Sequence, residues 1–206
     1  MRFLISLLIG YLLGSLSPAS LLARLKQTDL RENGTGNLGA TNTILVMGKK
    51  LGLLVMLLDI FKSYLAAKIA EKLFADFALA GFVSAFGAVL GHIYSLYLHF
   101  HGGKGVAAFV GMIIFYRPGF FFLLAGLAIV LMLVTNLGVV GPTSAAVLFP
   151  LLVLIDSGNP AIAGVCAAAG ALVLLSHREN IRKIRSGEEI LVRPFLKKVL
   201  NTHIHM

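Results

Sequence analysis

The chain has 206 residues, 58% of them hydrophobic and only 13% charged, with a formal net charge of +9 and a mean hydropathy of +0.90. A soluble domain of this size would carry about 25% charged residues, so lipid-facing surface replaces the missing charge and a soluble enzyme is excluded. The basic excess belongs to membrane flanks, where each Lys or Arg near anionic headgroups is worth about 1 kcal/mol, and not to a nucleic-acid-binding surface.

The first apolar run, "FLISLLIGYLLGSLSPASLLARL", is too long for a signal-peptide core and has no small-residue cleavage site after it, so no cleaved leader is expected. A span needs about 20 mainly apolar residues. Seven segments qualify as candidates: about 3–23, 51–70, 77–98, 105–116, 119–135, 138–155 and 160–176. The count falls to five if the last four merge or re-enter. The expected fold is therefore all-α: a polytopic bundle of seven transmembrane helices forming one domain over 1–206. The lone cysteine, Cys166 in "AGVCAAAGALVLL", can form no internal disulfide and reads as a small packing residue.

Lysine and arginine set the orientation. Segment 24–50 holds Arg24, Lys26, Arg31, Lys49 and Lys50. The tail holds Arg178, Arg182, Lys183, Arg185, Arg193, Lys197 and Lys198, and Lys104 joins them, so 13 of 18 basic residues share a side. Arg2, Lys72 and Arg117 sit opposite. An outside N-terminus and a cytoplasmic tail follow.

Three polar islands punctuate the apolar chain, at 33–45, 91–108 and 176–189. In the first, "GTGNLG" matches the dinucleotide spacing G-x-G-x-x-G, but no strand precedes it and no βαβ alternation occurs, so that reading fails. What remains is phosphate chemistry. Gly36 and Gly39 let backbone N–H groups come close to an anion ahead of a helix N-terminus, and Thr35, Asn37, Thr41 and Asn42 add hydrogen-bonding groups. A polar loop capping a helix is the plain alternative.

Inside the second span, Asp59 and Lys62 of "LLDIFKSYLAA" stand at i, i+3. A lone charge there costs about 2.5–3.5 kcal/mol on insertion scales. They are expected to pair, or Lys62 reaches the ligand site.

The second island, "GHIYSLYLHFHGGKGVA", places His92 and Ser95 three apart on one helix face. Lys104 follows among Gly102, Gly103 and Gly105, a cation with little steric crowding; the spacing is not that of a Walker loop. A flexible basic loop is the alternative. His99 and His101 have no carboxylate or cysteine cluster beside them, so no metal site is expected, and the terminal "HIHM" reads as a frayed end.

The third island, "SHRENIRKIRSGEE", puts His177 and Asn180 on one face if helical, with Arg178, Arg182 and Arg185 on another. A histidine exchanges protons near neutral pH and an amide beside it fixes a hydroxyl. Glu188 is a further candidate. An interfacial basic helix is the alternative. All three islands fall on the assigned cytoplasmic side with one inventory of glycine, amide, hydroxyl and cation, which suits a phosphate-bearing ligand.

"GSLSPASLLARL" with "NGTGNLGATN", "LLDIFKSYLAA", "GHIYSLYLHFHGGKGVA" and "HRENIRKIRSGEE" together resemble the bacterial acyl-phosphate:glycerol-3-phosphate acyltransferase family, the PlsY type, in its order and over most of the chain. The resemblance implies a multi-pass inner-membrane enzyme of phospholipid synthesis. Its reaction moves a fatty acyl group from acyl phosphate to the 1-hydroxyl of glycerol 3-phosphate, giving lysophosphatidic acid, with no cofactor and no nucleic-acid partner. It further implies that Thr35, Gly36, Asn37 and Lys104 hold phosphate while His177 and Asn180 position the acceptor.

Three departures stand out. Thr35 replaces the usual Ser, Leu45 replaces the usual Arg, and "TNLGVVGPTSAA" lacks the expected Arg and serine pattern, although Thr143 and Ser144 lie nearby. Lysine does not simply replace a bidentate arginine; Lys49 and Lys50 are the candidates to compensate. Two rival readings stay open: a transporter of a phosphate ester or lipid, weakened by the absence of an internal repeat, and a low-activity paralogue.

Overall fold

The computed structural model describes residues 1–189 and 191–201; among these it is helical, with one isolated antiparallel bridge between Leu137 and Leu191. His203 and His205 lie outside the described residues.

The first apolar run is not one helix. Helix α1 (Arg2–Ser15) stops, and α2 (Pro18–Leu25) starts afresh with Pro18 at its first position and the Ser17 hydroxyl accepting from the Ser20 N–H. Proline suits a helix start because its missing N–H would be unpaired there anyway, and it pushes the preceding residue out of helical space. This break frees the carbonyl of Leu16.

After a polar loop come α3 (Ala40–Met47), α4 (Lys49–Leu73), α5 (Ala80–Ile93) and a single 3-10 turn at Leu96–Leu98. The chain continues through α6 (Val106–Tyr116), α7 (Pro118–Thr135), α8 (Val140–Ser157), α9 (Pro160–Ser176), α10 (Arg178–Ser186) and α11 (Val192–Asn201). Helical segments occupy all seven expected span positions. Five are long and apolar enough to cross a bilayer: Arg2–Leu25, Ala80–Leu98, Pro118–Thr135, Val140–Ser157 and Pro160–Ser186. Helix α6 is apolar but only 11 residues long, and the 25 residues of α4 are interrupted by Asp59, Lys62, Lys68 and Glu71.

The helices meet on small residues. "GYLLG" of α1 and "GAVLG" of α5 face each other, so that a methyl on Gly10 would lie 1.8 Å from the Ser84 carbonyl oxygen and one on Gly87 2.4 Å from that of Leu7. Helices in lipid gain nothing by hiding apolar side chains from one another, and close backbone contact is what holds such pairs. In α8, Pro150 has no N–H for the Ala146 carbonyl. Gly170 of α9 closes over that same carbonyl, where a Cβ would come within 2.3 Å. Phe109 and Phe149 meet edge to face at 5.6 Å in the core between α6 and α8.

One end of the bundle is clasped by charge. Arg2 pairs with Asp76 and Arg117 with Asp156, each at 2.6 Å, and the Tyr116 hydroxyl donates to Asp156 at 2.5 Å. The three islands lie at the opposite end.

Candidate active site

The first island is organised by Asn42 near the start of α3. Its buried amide accepts from the Thr35 N–H at 2.6 Å and donates to the carbonyls of Leu30 at 2.7 Å and Asn33 at 3.1 Å. One side chain thus folds the whole loop around itself. Gly34 has to be glycine: its φ is +66°, and a Cβ would fall 2.2 Å from Asn42 Oδ1. Asn42 is thereby spent on the loop, whereas Thr35 and Gly36 stay exposed and Asn37 half-exposed. The Asn37 N–H approaches the Thr35 hydroxyl at 3.4 Å. Gly39 is buried as the N-cap of α3, with the Thr43 hydroxyl donating to its carbonyl at 3.0 Å.

The second island is tied to the end of α5. The Gly102 and Gly103 N–H groups donate to the carbonyls of Ile93 at 2.9 Å and His92 at 3.0 Å. These bonds take helix-end acceptors that would otherwise lack donors. Gly103 is wedged so tightly that a Cβ would lie 2.4 Å from His92 Nε2 and 2.9 Å from the Leu38 carbonyl oxygen. The first and second islands are therefore in direct contact. The Arg31 guanidinium adds a second link, donating to the His101 carbonyl at 2.9 Å.

Lys104 joins the second island to the third. Its ammonium donates to Asn180 Oδ1, and the Ser176 hydroxyl donates to the Lys104 carbonyl at 2.8 Å. Asn180 Nδ2 in turn donates to both Glu189 oxygens, at 2.7 and 3.0 Å. Burial lowers the Lys104 pKa below the ordinary lysine value; Lys183 lowers it further, while Glu189 and Glu179 oppose the shift. His177 caps the junction of α9 and α10 and donates from Nδ1 to the Val173 carbonyl at 2.8 Å. A carbonyl can only accept, so Nδ1 carries the proton and Nε2 is left as an acceptor.

Several expected residues do other work. Ser95 shares no helix face with His92, because α5 ends at Ile93 and Ser95 is extended; its buried hydroxyl donates to the Ser15 carbonyl at 2.6 Å, stapling α1 to the chain beyond α5. The loop glycines that bond His92 and Ile93 end the helix. Asp59 and Lys62 pair at 2.6 Å, and His92 Nδ1 joins them at 3.1 Å from Lys62 Nζ. Glu188 is exposed, and its neighbour Glu189 meets Asn180 instead, because Gly187 (φ +76°) turns the chain at the end of α10. Leu45 lies half-buried on α3, and the Thr143 and Ser144 hydroxyls turn back onto carbonyls of their own helix.

Sequence reading gave no structural contact to Glu189, Ser176, Arg31 or Asn136. Asn136, in left-handed geometry after α7, receives the tail: its carbonyl and side-chain oxygens accept the N–H groups of Val192 at 3.0 Å and Arg193 at 2.8 Å. Asparagine tolerates that conformation, which was the one local clue.

Comparison with known proteins agrees over nearly the whole chain. The family model "Glycerol-3-phosphate acyltransferase" matches residues 4–187. A glycerol-3-phosphate acyltransferase of Aquifex aeolicus is 37% identical over 193 residues, covering 92% of this chain and 98% of that protein. One from Geobacter sulfurreducens is 36% identical, covering 88% and 93%. Crystal structures of PlsY, an integral membrane glycerol 3-phosphate acyltransferase, superpose with TM-scores of 0.86 in the glycerol 3-phosphate form and 0.84 in the lysophosphatidic acid form. Both are 31% identical; they cover 93% and 95% of this chain, and the chain covers 96% and 99% of theirs.

Proposed function

The chain belongs to the glycerol-3-phosphate acyltransferase family, and from that premise we propose how its own residues perform the transfer. The enzyme moves a fatty acyl group onto glycerol 3-phosphate and releases lysophosphatidic acid. The donor in this reading is acyl phosphate. Its carbonyl carbon accepts the glycerol 1-hydroxyl oxygen, the bond from that carbon to the phosphate oxygen breaks, and the hydroxyl proton leaves with inorganic phosphate in the overall balance. The donor is already activated, so no acyl-enzyme is needed. The barrier falls by holding two anions together, placing the hydroxyl and stabilising the carbonyl oxygen.

Lys104 and the Thr35 and Asn37 side chains hold phosphate, and Gly36, Gly102, Gly103 and Gly105, two of whose N–H groups are bonded to the end of α5, shape the loops that let the anion approach. His177 offers Nε2 to the attacking hydroxyl, and Asn180 fixes the acceptor beside Lys104. The site faces the cytoplasm beneath the inner membrane, with the N-terminus outside, seven spans crossing and the acyl tail among them. The observation that carries this reading is the Lys104–Asn180 bond, which joins the glycine loop to α10, residues 76 apart in the chain, in one cation-and-amide site. The Asp59–Lys62 pair is closed within the bundle, so it offers nothing to a transport pathway.

The test mixes purified protein, acyl phosphate and glycerol 3-phosphate. The expected products are inorganic phosphate and lysophosphatidic acid, both cut about 100-fold or more on Lys104→Ala or His177→Ala. Turnover undiminished by both substitutions would move the site elsewhere, and faster turnover with acyl-CoA would replace the donor.

A further inference from the structure

Lys62 occupies an unusual position for a buried cation. Its ammonium donates to the Leu16 carbonyl at 2.6 Å, freed by the break between α1 and α2, and to His92 Nδ1 at 3.1 Å. It also lies 2.6 Å from Asp59 Oδ1, an ion pair without hydrogen-bond alignment. An ammonium has three N–H groups and no acceptor; here three acceptors surround it. This arrangement dictates the state of His92. A nitrogen that receives a proton donor must offer its lone pair, so Nδ1 is bare although it lies 3.3 Å from Asp59 Oδ1. In a neutral imidazole the proton then sits on Nε2.

Nε2 points away from the cluster. It bonds no group among the described residues, His92 is only 7% exposed, and the atom lies against Gly103, next to Lys104. Nε2 is not among the fully buried atoms, so a ligand can reach it, and its N–H is a donor that no described group accepts.

We infer that the Asp59–Lys62 pair locks His92 in its Nε2–H form, so that His92 donates a hydrogen bond to the phosphate oxygen held at the Gly102–Lys104 loop. The inference rests on the acyltransferase reading for the identity of that anion. In it His92 is a substrate contact, and Asp59 and Lys62 are positioning residues that act through it. Without Lys62, the Asp59 carboxylate would draw the proton to Nδ1 and leave a bare nitrogen facing the anion.

The measurement is nitrogen NMR of histidine-labelled protein in lipid nanodiscs, with the His92 signals identified by their loss in His92→Gln. The expected spectrum shows a protonated Nε2 and a bare Nδ1, and glycerol 3-phosphate shifts Nε2 more than Nδ1. In Lys62→Met the proton moves to Nδ1. In parallel, His92→Leu lowers kcat/KM about 10- to 100-fold, the loss of a hydrogen bond to a charged group. His92→Gln, whose amide N–H reaches the Nε2 position, recovers most of that loss. A native spectrum with Nδ1 protonated, an Nε2 signal indifferent to glycerol 3-phosphate, or equal kinetics for Leu and Gln overturns the inference. The spectra need no turnover: an inactive protein would remove the acyltransferase reading, whereas an active one with an indifferent Nε2 would remove this inference alone.

Discussion

Two lysines, Lys62 and Lys104, stand in polar clusters that differ in one respect. Around Lys62 a carboxylate, a carbonyl and an imidazole nitrogen use up the ammonium, and its side chain is 9% exposed. Around Lys104 the side-chain partner is the neutral Asn180 amide, the Glu189 carboxylate is bonded to that amide, and the lysine stays half-exposed. The closed cluster neutralises its own charge, so Lys62 binds no anion itself and acts only by positioning its neighbours, His92 among them. The open one keeps a cation with spare donors and can receive an anion.

The contrast is tested most severely by Lys62→Met, which strands Asp59 in the bundle. Breaking a buried pair from one side costs about 3–5 kcal/mol, so the thermal midpoint in detergent should fall sharply, and Asp59→Asn on top should restore much of it. Next, Lys104→Ala should cut turnover about 100- to 1000-fold, the scale for losing a preorganised charge partner, with the thermal midpoint nearly unchanged. If both lysines behaved alike in these assays, the distinction between closed and open clusters would fail.

Smaller effects sharpen it. Burial makes Lys104 lose its proton at lower pH than an ordinary lysine as pH rises, and a bound phosphate anion favours the charged form again. KM for glycerol 3-phosphate should therefore climb at alkaline pH before kcat declines, and Lys104→Arg should delay that climb. The exposed Arg31 contact to the His101 carbonyl is worth about 1 kcal/mol or less. Arg31→Gln should change kcat/KM only a few-fold, and a larger loss would make Arg31 part of the site.

Much was legible in the chain itself. Apolar runs of span length and glycine-rich polar islands are local features, and local features survive in sequence, whereas the break at Pro18 inside the first expected span came only with the structure. The choice between Glu188 and Glu189 was not legible, because it depends on how Gly187 turns the chain at the end of α10. Nor was the fate of Ser95, since α5 ends where distant loop glycines take its carbonyls.

The residues alone determined a helical membrane protein with one amide-, glycine- and cation-rich face, because hydropathy and charge placement act through short stretches of chain. Tertiary structure decided which polar groups are spent on each other and which remain for a ligand. That outcome depends on pairs such as Lys62 with Leu16, His92 with Gly103 and Lys104 with Asn180, whose meeting is set by helix crossings and not by their spacing along the chain.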